Sequence, residues 1–179
     1  MKRFLFLIIL CGALASAKAQ SKTTDNLQEK YTGSFSLFFY HNTLRMINQA
    51  EDKEFDELIK NIEKMKFLMI EKESSFKQAD YQKIKKDYTS ETFEEAMTTR
   101  YQGRNLDVLL KEKSGKTTGM VVLVNDSTSL FVLDIVGSIR LDQVTSLYKT
   151  LDESTDVGQK IKSFTDRNAK RKESDKDED

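Results

Sequence analysis

The chain reads as an α+β fold: a single domain whose mixed or antiparallel sheet of about four strands packs with helices, in the order α-α-β-α-β-β-β-α-α. Three observations predict it. Gly119–Gly137 (GMVVLVNDSTSLFVLDIVG) is two apolar runs around a polar turn, which is the pattern of a β-hairpin at the middle of a sheet. Apolar residues at helical spacing fill much of the chain ahead of it, and again behind it. The patterned part, residues 36–165, has the length of one domain.

The elements follow in order. Residues 1–19 read as a signal peptide: Lys2 and Arg3, an apolar run from Phe4 to Ala15, then Ala17-Lys18-Ala19 with cleavage before Gln20. Leu10 precedes Cys11 where a lipid-attachment site needs a small residue, so a lipoprotein is disfavoured. Residues 20–35 are polar and lack a period, and are expected as a flexible lead-in. Leu37, Tyr40, His41, Leu44 and Ile47 then fall on one helical stripe, and Phe55, Leu58, Ile59 and Ile62 on a second. Lys64–Glu71 changes to period two, with Met65, Phe67 and Met69 on one side and Leu68 and Ile70 on the other, as in a strand. Phe76 to Tyr101 returns to helix. Tyr81, Ile84 and Tyr88 form one stripe; Phe93, Ala96, Met97 and Tyr101 form another behind a Thr92/Glu95 capping box.

Leu106–Lys111 alternates as a half-exposed edge strand does, and Ser114-Gly115 turns it into the central hairpin. Met120–Val124 and Leu130–Val136 are apolar on both sides apart from Asp134, so each face of the sheet needs a cover. Beyond Gly137, Leu141, Val144, Leu147, Tyr148 and Leu151 mark a helix, and Val157, Ile161 and Phe164 a shorter one. Residues 166–179 are charged and read as a disordered tail.

Composition narrows the chemistry. The leader carries three of the 29 basic residues and none of the 29 acidic ones, so the remainder has a net charge of −3. Nucleic acid is not an expected partner of that balance. Cys11 is the only cysteine and leaves with the leader, so neither a thiol nucleophile nor a thiolate metal site is expected. His41 is the only histidine, which rules out a multi-histidine metal centre and leaves a packed or rim histidine as the simplest reading. No segment is long and apolar enough for a permanent membrane span. Lys113-Ser114-Gly115-Lys116-Thr117 has the look of a phosphate loop, but Leu110 stands where the first glycine is needed and a strand follows instead of a helix. Asn125-Asp126-Ser127 and Asp126-Ser127-Thr128 match short glycosylation patterns in an expected turn, where a plain turn is the favoured reading. The pairs Glu51-Asp52 and Glu94-Glu95 read as solvated charges.

Asp134 breaks the local rule. A carboxylate in an inner strand needs a partner or stays protonated. The candidate polar spot is therefore Asp134 with Arg140, or else Arg100, beside it. No catalytic, cofactor-binding or metal-ligating set is expected. A hydrolase acting through Asp134 or Glu95 would lack a second carboxylate.

SLFVLDIVGSIRLDQVTSL, with the strand MVVLV before it and FDELIKNIEKMKFLMI earlier, resembles a family of small exported Bacteroidota proteins that carry a domain of unknown function. The resemblance spans roughly Leu37 to Phe164, and its most specific part is the passage Gly137-Ser138-Ile139-Arg140-Leu141. It implies a periplasmic or envelope-associated protein and a context of envelope signalling, and it assigns no catalytic residue. The expectation is a non-enzymatic domain that binds or regulates another envelope protein. The alternative is a small-ligand or lipid binder, with an apolar cavity between the central strands and a helix carrying Phe93, Ala96 and Met97.

Overall fold

The computed structural model describes residues 20–47, 53–72, 76–101, 103–140 and 143. Their elements are α1 (Lys22–Lys30), β1 (Phe35–Tyr40), α2 (His41–Ile47), α3 (Lys53–Ile59), β2 (Ile62–Glu71), α4 (Gln78–Ser90), β3 (Phe93–Tyr101), β4 (Arg104–Lys113), β5 (Lys116–Asn125) and β6 (Ser129–Gly137). The strands make one sheet in the order β1-β2-β6-β5-β4-β3, with every neighbouring pair antiparallel. The leader at 1–19, the helices expected after Gly137, the tail at 166–179 and the pair Glu51-Asp52 lie outside the described residues.

The central hairpin stands as expected. Met120 lies opposite Ile135, Val122 opposite Leu133 and Val124 opposite Phe131, at the middle of the sheet. β2 also forms where the period changes, pairing Met65 with Ile135 and Leu68 with Val132. Ser114 and Gly115, at φ 53° and 72°, make the β4–β5 turn, so the sequence with the look of a phosphate loop is a hairpin.

The expected four strands in the order α-α-β-α-β-β-β-α-α are corrected: the sheet has six strands and the described structure is mostly sheet, 48% strand. Two stretches with helical spacing are strands. In β1, Leu37 and Phe39 face one way and Phe38 and Tyr40 the other; Leu44 belongs to α2, which starts at the next residue. A strand running straight into a helix gave a mixed spacing that passed for one helix. In β3 the cause is a bulge between Glu95 and Met97. Phe93 and Glu95 sit opposite Lys111 and Leu109, and Met97 then lies opposite Val108. The extra residue puts Met97 on the face opposite Phe93, so the apolar residues of β3 do not keep the alternation of a regular strand. Thr92 has φ 68°, a conformation no helix N-cap adopts. β4 is consequently an inner strand, with β3 outside it.

Helices cover both faces. On one, Leu44, Phe55, Leu58 and Ile59 from α2 and α3 join Met65, Val122, Leu133 and Ile135. On the other, Leu27 from α1 and Tyr81, Ile84 and Tyr88 from α4 pack on Leu68, Val121, Leu123 and Val132. The stretch assigned to a flexible lead-in thus contains a helix with Ser21, Thr23, Thr24 and Leu27 buried around it. At the end of β6, Gly137 has φ 122°, and a Cβ there would stand 2.2 Å from the Asn61 carbonyl oxygen. Only glycine fits this approach, which lets Ser138 N–H donate to that same carbonyl at 3.0 Å.

Candidate functional site: the polar seam under the first helix

The α1/α4 face of the sheet carries three buried charged side chains, Lys66, Asp107 and Asp134, each 1% exposed. Burying a charge is costly unless it is paired and hydrogen-bonded. Each of the three meets a helix that lies on this face.

Asp134 sits on β6 directly opposite Lys66 of β2. Its Oδ2 accepts from the Ser21 backbone N–H at 2.9 Å, from Ser21 Oγ at 2.9 Å and from Thr24 Oγ1 at 2.7 Å. The Tyr88 hydroxyl lies 2.8 Å from Thr24 Oγ1 and can donate to it, leaving the threonine proton for the carboxylate. Burial pushes the Asp134 carboxyl above its ordinary range, against the opposing pull of the Thr24 and Ser21 hydrogen bonds. Burial likewise pushes the Tyr88 phenol up, so it remains a neutral donor.

The first turn of α1 is fully capped. Ser21 is the N-cap, with its Oγ accepting from Thr24 N–H at 3.1 Å. Glu91, just past α4, accepts from Lys22 N–H at 2.8 Å and from Thr23 N–H at 2.6 Å, and also from the Thr23 hydroxyl. These N–H groups have no partner within a helix, and a carboxylate there also complements the helix dipole. Lys66 extends its ammonium to Asp25 on the same helix at 2.7 Å, with the Phe38 ring 4.7 Å below it.

The third charge makes a separate cluster. Asp107 on β4 accepts from Lys85 Nζ at 2.8 Å, from Thr98 Oγ1 at 2.6 Å and from the Tyr81 hydroxyl. Lys85 also reaches Glu95 at 3.1 Å. Burial alone would raise the Asp107 carboxyl, but the bonds from Lys85, Thr98 and Tyr81 outweigh it and hold it below the usual carboxylate range. Desolvation pulls Lys85 down, but Asp107 and Glu95 outweigh it and hold the ammonium above the ordinary lysine value.

Of the residues singled out from sequence, Asp134 is buried as expected, but the groups that hydrogen-bond it are Ser21 and Thr24. Arg140 is exposed three residues past the end of β6, and Arg100 is exposed on the far edge strand β3. Sequence reasoning passed over Lys66, Asp107, Glu91 and the Ser21–Thr24 cap. Ser21-Lys22-Thr23-Thr24 was a legible N-cap signal, but α1 holds a single leucine and so shows no apolar period.

His41 opens α2 with its Nδ1 2.9 Å from the Ile62 carbonyl oxygen, beside an open cleft of about 600 Å³ whose other walls include Lys60, Glu63, Thr117 and Gly137. Among the described residues no three His, Cys, Asp or Glu side chains gather as metal ligands, and no helix is long and apolar enough to cross a membrane. The Asp126 carboxylate accepts from Thr128 and Ser129, backbone and hydroxyl alike, which makes Asn125–Thr128 a built turn. The cavity expected beside a helix carrying Phe93, Ala96 and Met97 loses its basis, because those residues lie on β3.

Compared with models of known families, residues 30–147 match one described as Domain of unknown function (DUF4252). No curated protein and no solved structure matches the chain significantly.

Proposed function

The chain belongs to the DUF4252 family, whose description leaves function open, and from that premise we propose a non-enzymatic domain that binds another envelope protein along strand β1. Export with cleavage before Gln20 belongs to the same reading. The observation that carries it is the difference between the two edges of the sheet. Edge strands are ordinarily blunted by charge, bulges or brevity. β3 has such devices: Glu94, Glu95 and Arg100 are exposed along it, and a bulge breaks its ladder. β1 (FSLFFY) has no charge and a continuous register with β2 from Phe35 to Tyr40. Phe38 is 46% exposed and Tyr40 58%.

The occupant this edge suits is an extended segment of the partner, added antiparallel to β1. Its alternate side chains are apolar, to lie against Phe38 and Tyr40. An acidic side chain among them meets Lys64, whose ammonium stands 5.9 Å over the Tyr40 ring. The polar seam supports the non-enzymatic part, since its carboxylates are engaged in holding helices.

The test is a photo-crosslinking amino acid placed at Tyr40 or at Thr99 of β3 and expressed in the native host. A discrete protein adduct from Tyr40 and none from Thr99 is the expected result. Adducts that are the same from both edges, or absent from both, overturn the reading.

A further inference from the structure

Arg100, Asn105 and Asn125 lie side by side on β3, β4 and β5, directly opposite one another and on the α4 face of the sheet. They form the rung one step beyond Thr98, Asp107 and Leu123. In the Asp107 rung the polar groups answer one another through hydrogen bonds. In this rung they do not. Asn125 is 6% exposed, yet its Oδ1 has no hydrogen-bond partner among the described residues. A buried acceptor left unpaired is costly and rare.

The three side chains belong to the wall of an open cleft of about 400 Å³, and Lys72 and Lys77 bring its cations to three. Lys72 donates to the Asp126 carbonyl and stands 5.0 Å over the Phe76 ring. Its desolvation outweighs the pull of Asp126 and lowers the ammonium below the ordinary lysine value. Among the described residues no carboxylate lies within ion-pair distance of Lys72, Lys77 or Arg100. The Asp126 carboxylate, also in the wall, accepts from Thr128 and Ser129 of its own turn. The asparagine of the Asn125-Asp126-Ser127 pattern is therefore part of the cleft wall and is not offered to solvent as a glycosylation acceptor.

We propose that this cleft binds a hydroxyl-bearing organic anion, a sugar acid or a sugar phosphate. Arg100 takes the charged group, whose oxygens match the guanidinium fork, with Lys72 and Lys77 adding to the field. A hydroxyl of the same ligand meets Asn125. Hydroxyls donate and accept, so one satisfies the amide whichever way its oxygen and nitrogen point. An ammonium in that place would be repelled by the three cations of the wall, which disfavours amines and amino acids. Two strand spacings, about 10 Å, separate Arg100 from Asn125, which a hexose carrying a charged group can bridge and a bare inorganic anion cannot.

The test titrates glucuronate, glucose 6-phosphate, glucose and inorganic phosphate by calorimetry into the purified protein and into its Arg100→Gln and Asn125→Ala variants. At least one sugar anion should bind, about tenfold more tightly than inorganic phosphate, and glucose should not bind. Binding of glucuronate alone would identify the charged group as a carboxylate, and of glucose 6-phosphate alone as a phosphate. Arg100→Gln should weaken binding about tenfold. Asn125→Ala should reduce the sugar anion to the affinity of inorganic phosphate and leave the affinity for phosphate itself unchanged. Should Asn125→Ala fail to fold, nuclear magnetic resonance of the unaltered protein decides: the sugar anion, and not inorganic phosphate, should shift the Asn125 side-chain amide. No binding of either sugar anion at millimolar concentration, binding no tighter than that of phosphate or glucose, binding unaffected by Arg100→Gln, or an Asn125 amide that does not respond would each overturn the proposal.

Discussion

Two aspartates on one face of one sheet titrate in opposite directions, and the difference lies in what each accepts from. Asp134 has neutral donors only, so burial dominates and its folded carboxyl lies above the ordinary range. Below the unfolded value of about 3.9 it is protonated in both states; as pH rises through the folded value it becomes a buried charge and stability is lost. Asp134→Asn keeps an acceptor in place of Oδ2 and carries no charge. Denaturant unfolding should therefore show the unaltered protein losing stability relative to this variant from acid to neutral pH; parallel curves would mean that Asp134 is not a buried charge. Asp107 has an ammonium partner and a depressed carboxyl, so the sign reverses. Its contribution is present above the unfolded value and fades as pH falls through the folded one. Asp107→Asn should cost about 2 kcal/mol at neutral pH, and the cost should shrink as the pH falls through the folded value, by the same measurement. The oddity of Asp134 was legible in the sequence because it interrupts a run of apolar residues. Asp107 was not, because alternation in Leu106–Lys111 gave it the place of a solvent-facing residue, whereas α4 covers it with Tyr81 and Lys85 and β3 flanks it with Thr98.

Among the elements, those legible in advance were the ones whose apolar pattern is set locally. β5, β6, β2 and the first half of the Phe76–Tyr101 stretch bury what their spacing says they should. β1 and β3 were misread because the signal of each is corrupted at one residue, the strand-to-helix junction at Tyr40–His41 and the bulge after Glu95. α1 offers only its N-cap signal, because it is held by hydrogen bonds to residues far along the chain, which leave no periodic trace. β6 meets the start of β2 where Gly137 lies against the Asn61 carbonyl. Gly137→Ala should cost about 3 kcal/mol, combining a left-handed backbone with a Cβ driven into a carbonyl, and thermal unfolding would register it as a markedly lower Tm. An equal Tm would mean that β2 and β6 can part at this end without penalty.

For the whole molecule, the sheet is the frame and its edges differ in purpose. Tyr40→Lys alters a side chain that is 58% exposed, so equilibrium unfolding should change by no more than about 0.5 kcal/mol while any adduct formed along β1 is lost. A large loss of stability instead would make β1 part of the core and not a recognition edge. The order of the strands has one more effect. Among the described residues, β1 and β2 come from the chain ahead of α4 and β3 to β6 from the chain after it, and the ladder between β2 and β6 is the one strand pairing that unites them. A molecule stretched so that load enters at Ile62 and leaves at Gly137, which lie side by side, would open rung by rung at low force. With the load taken instead at Ile62 and Ser129, at opposite ends of the same ladder, all the rungs would resist at once.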